Sequence, residues 1–185
     1  MRNAEISPLP PIWDQGEYSE SVREYLKRAF DLDFPISGEW GYTTDTPVVF
    51  EYSQDDIPVD YIALERTFVE KRIYSECIVF RPKDDRFSGI EWQLESQRLL
   101  NLQDRKIDEL TFHVKMLADD DFEMLKADWE KNYGYEYDPP ASRETHMRWR
   151  SDLTYHYTSV FFFDVTTFFP IGTLKLAENK YSRDV

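Results

Sequence analysis

The stretch that decides the fold is residues 110–134, which read LTFHVKMLADDDFEMLKADWEKNYG. Its first seven residues alternate between apolar and polar side chains, which predicts a strand with one buried face and one wet face. Further along, apolar side chains recur at helical spacing, and Asp120 with Glu123 has the spacing of a capping box. Gly134 stands where a glycine commonly ends a helix. The stretch therefore predicts a strand followed by a helix.

Another helix is predicted near the start of the chain. Ser21 and Glu24 form a second capping-box pattern, and the apolar side chains that follow make one stripe along a helix. Pro35 cannot continue a helix, so we expect this helix to end near Asp31.

Residues 61–80 carry a mixed pattern. Their content of Ala, Leu, Glu, Arg and Lys favours a helix through about residue 75, with a strand at residues 78–80. Alternation of apolar residues also fits imperfectly, so helix and strand both stay open for this segment.

The remaining sequence predicts strands and turns. Further strands are expected at residues 48–52, 90–100 and 155–166. The second of these can pair with the strand at residues 110–116 as a hairpin through residues 101–106. Within residues 155–166, residues 160–163 are apolar on both faces, which places that strand centrally in its sheet. Two glycines around Trp40 indicate a turn at residues 37–42, with the tryptophan in the core.

The order of these elements predicts the fold class. Helix, strand, helix, two strands, helix and strand lack the regular alternation of a doubly wound α/β fold. We predict the α+β class, with a mixed or mainly antiparallel sheet and helices packed on one side. A length of 185 residues fits one acidic domain over residues 1–185. Residues 1–18 would form an extended lead-in, and residues 174–185 a tail that frays.

The charge of the chain limits its partners. It has 36 Asp and Glu against 22 Lys and Arg, so the net charge is −14, while 16% of its residues are aromatic. So many aromatic residues predict a folded core, which places the charge on the surface. A surface this negative repels nucleic acid and anionic lipid and attracts basic groups. We expect a basic protein partner, no nucleic acid and no membrane.

The compartment is predicted from one cysteine and from the start of the chain. Cys77 is the single cysteine, so no disulfide can form within the chain, which fits a reducing cytoplasm. The first twelve residues contain three prolines and no apolar run, unlike a signal peptide. We expect a cytoplasmic protein.

The residues that could carry catalysis show no recognisable motif. His113, His146 and His156 lack the spacing of a zinc site, although His113 and His156 lie on predicted strands and could face each other. Cys77 follows Glu76, which would raise a thiol pKa, so a buried structural cysteine is favoured. Pairs of acidic residues are read as solvated, and no glycine loop suits a phosphate. We expect no cofactor, no metal and no enzyme.

A local basic segment stands out from this acidic background. Residues 143–150 read RETHMRWR, which in isolation would suggest phosphate contact. Because the whole chain repels polyanions, we expect these arginines to pair with the acids of the chain itself or with an acidic rim on a partner.

Aromatic residues beside carboxylates are the best candidates for partner binding. Tyrosine in an anionic frame is typical of a protein interface, although simple core packing is an equal alternative for these tyrosines. The candidate residues are Asp55, Asp56, Asp84, Asp85, Tyr135, Glu136, Tyr137 and Asp138.

Four short segments carry a resemblance at the level of a class. They are FPISGEWGY (Phe34–Tyr42), VVF (Val48–Phe50), EKRIYSE (Glu70–Glu76) and GIEW (Gly89–Trp92). In their order, over residues 20–120, the chain resembles bacterial immunity proteins, the inhibitors of polymorphic or contact-dependent toxins. The resemblance implies a small, acidic, non-catalytic protein that occludes a basic toxin, and it assigns no inhibitory residue.

These observations favour a protein-binding inhibitor that neutralises a basic toxin. Two alternatives stay open. One is a small hydrolase or metal-dependent enzyme, which would require His113 and His156 to converge with a carboxylate in one pocket. The other is an acidic secretion chaperone or an anti-defence protein that mimics the charge of DNA.

Overall fold

The computed structural model describes residues 20–51 and 60–168, and contacts within the chain divide it into two compact units. The described part of the first unit comprises Thr67–Glu95 and Thr111–Ser159. That of the second comprises residues 20–51 and 60–66, Ser96–Leu110 and residues 160–168. The lead-in and tail expected at residues 1–18 and 174–185 lie outside the described residues, and the single domain stays a prediction.

Helices and strands account for most of the described residues. In chain order they are α1 (Val22–Phe30), β1 (Ile36–Gly38), β2 (Val48–Phe50), α2 (Tyr61–Tyr74), β3 (Phe87–Leu102), β4 (Arg105–Ala118), α3 (Asp119–Lys131), α4 (Pro140–Leu153) and β5 (Tyr155–Asp164). A π-helix, Ser75–Val79, continues α2. Among the helices of the described residues, none has the length and apolar content that crossing a membrane requires.

The five strands form one mixed, mostly antiparallel sheet in the order β1-β2-β5-β4-β3, which confirms the predicted α+β class. β1 pairs antiparallel with β2, and β2 pairs parallel with β5, with Val48 opposite Phe163. β5 is the third of the five strands, as its apolar residues predicted. β3 and β4 meet through the two-residue turn Gln103-Asp104, which confirms the expected hairpin.

In the second unit, α1 forms as its sequence predicts. The Ser21 hydroxyl accepts from the Glu24 amide at 3.2 Å, and the Glu24 carboxylate accepts from the Ser21 amide at 2.8 Å. Asp31 caps the other end in the left-handed region, with φ 55°. Tyr25 on the buried stripe contacts Trp40 edge-on at 5.3 Å, so Trp40 lies in the core as expected.

The turn predicted at residues 37–42 is wrong at its start, because residues 36–38 form strand β1 beside β2. Backbone pairing to Phe50 at Ile36 outweighs the turn propensity of the following glycine. Gly41 keeps its role, since its φ is 71° and a Cβ there would lie 2.8 Å from the Phe162 carbonyl oxygen.

In the first unit, the strand predicted at residues 78–80 is wrong, because the chain stays helical there. The Phe80 amide donates to the Ser75 carbonyl at 2.9 Å, which is the five-residue spacing of a π-helix. Arg72 Nε donates to Glu76 Oε1 at 2.8 Å, and these side chains are 1% and 4% exposed. This buried ion pair at helical spacing holds the turn against the β propensity of Ile78, Val79 and Phe80.

The capping box predicted for the helix after β4 is also wrong, although the helix itself is confirmed. α3 begins at Asp119, Ala118 occupies the N-cap position, and no side chain caps it. The Asp119 amide donates instead to the Arg86 carbonyl at 3.1 Å, and its carboxylate accepts from the Ser88 hydroxyl at 2.7 Å. These bonds fix the helix start one residue before Asp120, where acidic side chains favour the helix dipole.

Candidate functional site

The connection between α3 and α4 presents the most exposed aromatic side chains of the described residues. We call Tyr133–Asp138 the aromatic loop. Tyr133 is 77% exposed and Tyr137 is 83% exposed, while Glu136 and Asp138 beside them are exposed as well. Large apolar side chains that stand in water next to carboxylates have the composition of a protein-binding surface.

The backbone of the aromatic loop is strained. Tyr133, Gly134 and Tyr135 have φ values of 49°, 67° and 59°, so three consecutive residues adopt the left-handed region. Only glycine enters this region freely, and each of the two tyrosines costs on the order of 1–3 kcal/mol there. Such a conformation persists only where surrounding contacts enforce it, and strain of this kind is concentrated at functional sites.

A hydrogen-bond network enforces the conformation. The Tyr135 hydroxyl donates to Asp128 Oδ2 on α3 at 2.5 Å, and His146 Nδ1 on α4 donates to the same oxygen at 2.7 Å. Asn132 Nδ2 donates to the Tyr135 hydroxyl at 3.1 Å and to the Asp128 carbonyl oxygen at 2.8 Å. The network therefore ties the loop to both helices that flank it.

Aromatic packing reinforces these hydrogen bonds. The Trp129 ring lies 5.1 Å from the His146 ring and 5.8 Å from the Tyr135 ring, and the Arg143 guanidinium lies 5.8 Å from its centre. His146 is buried. Tyr135 thus anchors the loop from within, and Tyr133 and Tyr137 are the side chains left for a partner.

The electrostatics of the network agree with its hydrogen bonds. The bond from Tyr135, followed by that from His146, holds the pKa of Asp128 below its ordinary value. The same bond raises the pKa of the Tyr135 hydroxyl. Near neutral pH Asp128 is a carboxylate that accepts from Tyr135, His146 and Asn132, which is the strong form of this contact.

The other candidate residues lie on different elements. Asp84 and Asp85 occupy the short 3₁₀ turn Lys83–Asp85 before β3, where Asp85 accepts from Arg81 Nη1 at 3.1 Å. Both line a cavity of about 600 Å³ together with Asp119 and Asp120. Asp55 and Asp56 lie outside the described residues. The acids at the 3₁₀ turn and the aromatic loop thus form two separate groups in sequence, both within the first unit.

Sequence reasoning did not select Tyr133 and did not predict α4. Proline commonly interrupts a helix, but Pro140 is the first residue of α4, a position that proline favours. The basic segment at residues 143–150 is part of α4, and Arg150 Nη2 donates to Glu91 Oε1 at 2.8 Å. For Arg150, this ion pair agrees with one of the two predicted alternatives, pairing with an acid of the chain itself.

The predicted contact between His113 and His156 is confirmed. His113 Nε2 lies 3.0 Å from His156 Nδ1, and Glu95 Oε1 lies 3.7 Å from His113 Nδ1. The two histidines line different hollows, His113 with Trp92 and Gln93, and His156 with Met147 and Arg150. An enzyme was expected to need both histidines and a carboxylate in one pocket. The two histidines do meet, but they line different hollows, so this condition is met only in part.

Cys77 is a buried structural residue, as expected. Its thiol contacts Met116 Sδ at 3.5 Å and the Tyr157 hydroxyl at 3.7 Å, and burial raises its pKa to about 11. A thiol with this pKa is protonated at neutral pH and is a poor nucleophile.

Comparisons of the chain with protein-family models, with curated proteins and with solved structures give no match.

Proposed function

We propose that this chain is a non-catalytic, protein-binding inhibitor that docks a basic partner through its aromatic loop. The observation that carries the proposal is the pair of exposed tyrosines, Tyr133 and Tyr137, held beside Glu136 and Asp138 by a strained and braced backbone.

Rigidity of the loop supports docking. Association costs free energy when side chains and loops become ordered at an interface. Here Asp128, His146 and Asn132 already hold the loop through Tyr135, so less order has to be imposed when a partner arrives. Tyrosine adds a large contact area with few rotatable bonds, which makes it a frequent hot-spot residue.

Charge supports the choice of a basic partner. The net charge of −14 attracts basic surfaces over long distances and accelerates encounter. Glu136 and Asp138 bring that charge to the loop, and Asp84 and Asp85 add exposed carboxylates in the same unit. Nucleic acid and anionic lipid would meet repulsion instead.

We propose that this inhibitor is an immunity protein. Members of this class are small acidic proteins that occlude basic toxins, and the chain resembles them over residues 20–120. The inhibited partner would then be a basic toxin domain, and the chain would act by covering it in the cytoplasm.

The test uses the protein encoded immediately upstream of this chain in its native host. This is the position at which the toxin of an immunity protein is encoded. We expect the purified chain to bind that toxin domain and to restore growth to cells that produce it. The double variant Tyr133→Ala/Tyr137→Ala should weaken binding by about thirtyfold or more, as loss of hot-spot contacts does.

The matched control is Ile62→Ala, since Ile62 is a large exposed side chain on α2. It should leave affinity and protection unchanged. An unaffected double variant would rule out the aromatic loop as the docking site. A partner that is acidic, or protection without binding, would contradict inhibition by docking of a basic toxin.

A further inference from the structure

The two histidines on the sheet have an arrangement that the proposed function does not use. His113 on β4 and His156 on β5 lie in the first unit with their ring centres 5.2 Å apart. The side chain of His113 is partly exposed and that of His156 is exposed, so both reach solvent. His113 Nε2 and His156 Nδ1 face each other at 3.0 Å.

Glu95 on β3 places a carboxylate near this pair. Its Oε1 lies 3.7 Å from His113 Nδ1, the ring nitrogen that faces away from His156. A carboxylate beside Nδ1 favours a proton on that nitrogen and leaves the Nε2 lone pair directed at His156. A metal-bound histidine usually donates its outer N–H to a carboxylate, and Glu95 would have to move closer by several tenths of an ångström to accept that bond.

We propose that His113 Nε2 and His156 Nδ1 bind a divalent transition-metal ion of the zinc, nickel or copper type. Zinc–imidazole bonds of about 2.0–2.1 Å at tetrahedral angles place two ligand nitrogens about 3.3 Å apart. The present separation of 3.0 Å has to open by a few tenths of an ångström, and the rings have to turn so that both lone pairs meet at the metal. The exposed ring of His156 can make that adjustment.

The proton balance of binding is simple. In the neutral pair, one ring donates a proton to the other across the short contact. The metal replaces that hydrogen bond when the His156 proton moves from Nδ1 to Nε2, so neutral rings release no proton.

The site supplies two protein ligands. Among the described residues, no group of three or more His, Cys, Asp or Glu is placed to hold a metal ion. The remaining coordination positions would be filled by water or by a donor from a partner, which leaves the bound ion accessible. Such an ion should follow the usual affinity order, with Cu²⁺ bound more tightly than Ni²⁺ or Zn²⁺.

The test is titration of the untagged full chain with Zn²⁺ by calorimetry in excess Mg²⁺, which occupies sites made of carboxylates alone. We expect one Zn²⁺ per chain. His113→Ala and His156→Ala should each weaken binding at least tenfold, and Glu95→Gln should weaken it by a smaller factor. The matched control is Thr158→Ala, an exposed residue two positions from His156 on β5, which should change nothing.

Nitrogen-15 spectra of the histidine rings give a second readout that does not depend on affinity. Added Zn²⁺ should shift the resonances of His113 Nε2 and His156 Nδ1 and leave those of His146 in place. Absence of stoichiometric binding, equal binding by His156→Ala, or binding without these shifts would each overturn the proposal.

Discussion

Glu65 is a carboxyl group at a position where a charge is costly. It lies on α2 in the second unit with 4% of its surface exposed. Burial, followed by the nearby charge of Asp108, raises its pKa from 4.5 to about 7. Burial also raises the pKa of Asp108. The folded chain therefore binds a proton at Glu65 that the unfolded chain has already released at mildly acidic pH.

This difference predicts how stability depends on pH. The contribution of Glu65 is fully present below about pH 4.5 and is lost as pH rises through about 7, because the unfolded chain releases the proton first. The loss over this window is about 3 kcal/mol. Glu65→Gln stays neutral, so we expect it to match the wild type near pH 4 and to be more stable near pH 8. Urea denaturation across this pH range measures the difference.

Glu39→Gln serves as the control, since Glu39 is an exposed glutamate of the same unit. The free energy of unfolding of Glu39→Gln should change with pH as that of the wild type does. Parallel curves for Glu65→Gln and the wild type would show that Glu65 is ionised in the folded chain.

At the scale of elements, the α3–α4 connection depends on Gly134. A Cβ at this position would lie 3.3 Å from three atoms of the Trp129 ring, and its φ of 67° disfavours any L side chain. The left-handed backbone and the close ring both follow from the short path between the two helices that Asp128 and His146 connect.

We expect Gly134→Ala to destabilise the chain by about 1–2 kcal/mol, because alanine pays the steric cost of the left-handed region. Gly134→Asn carries the same Cβ but enters that region more readily, so its loss should be smaller. Urea denaturation of the three proteins measures both. Equal losses would assign the effect to contact with Trp129 instead of to the backbone.

Elements with a complete local signal were predictable from sequence. The reciprocal bonds of Ser21 and Glu24 need no tertiary contact, and neither does the alternation at residues 110–116. The π-helix was missed because it depends on the buried Arg72–Glu76 pair, which exists only once the chain has packed. Alternating hydrophobicity cannot report such a pair, so the β-branched residues that follow it predicted a strand.

The candidate site was also predictable from sequence only in part. Sequence indicated tyrosine beside carboxylates at residues 135–138, and composition was enough for that. It could not distinguish Tyr135, whose hydroxyl binds Asp128, from Tyr133 and Tyr137, which stand in water. That distinction depends on three consecutive left-handed residues and on α4, and the composition of the loop predicts neither.

At the scale of the whole molecule, 36 acidic side chains stand against 22 basic ones, and several of the arginines bind within the chain. Arg72 and Arg81 are buried, and Arg150 pairs with Glu91 across the first unit. Arg143 and Arg148 of the basic segment are exposed, but the acids of the chain outnumber its basic residues by 14, so the net charge stays negative. A partner therefore meets a predominantly negative surface, which is the condition for electrostatic steering.

This distribution predicts how the proposed toxin would associate. The association rate should fall about tenfold or more from low to high ionic strength, whereas the dissociation rate should change little. Glu136→Gln/Asp138→Asn should slow association at low salt, and Tyr137→Ala should mainly accelerate dissociation. Stopped-flow or surface-plasmon measurements over a salt series separate the two rates.

The matched control for that charge change is Glu39→Gln/Asp45→Asn, which also removes two exposed acids and so alters the net charge equally. If the loop acids act at the docking site, their double variant should slow association more than the control does, because screened interactions act over about 10 Å. Equal slowing would assign steering to the charge of the whole chain. An association rate that does not change with ionic strength would contradict steering altogether, and the tyrosines would then have to supply recognition without the surrounding charge.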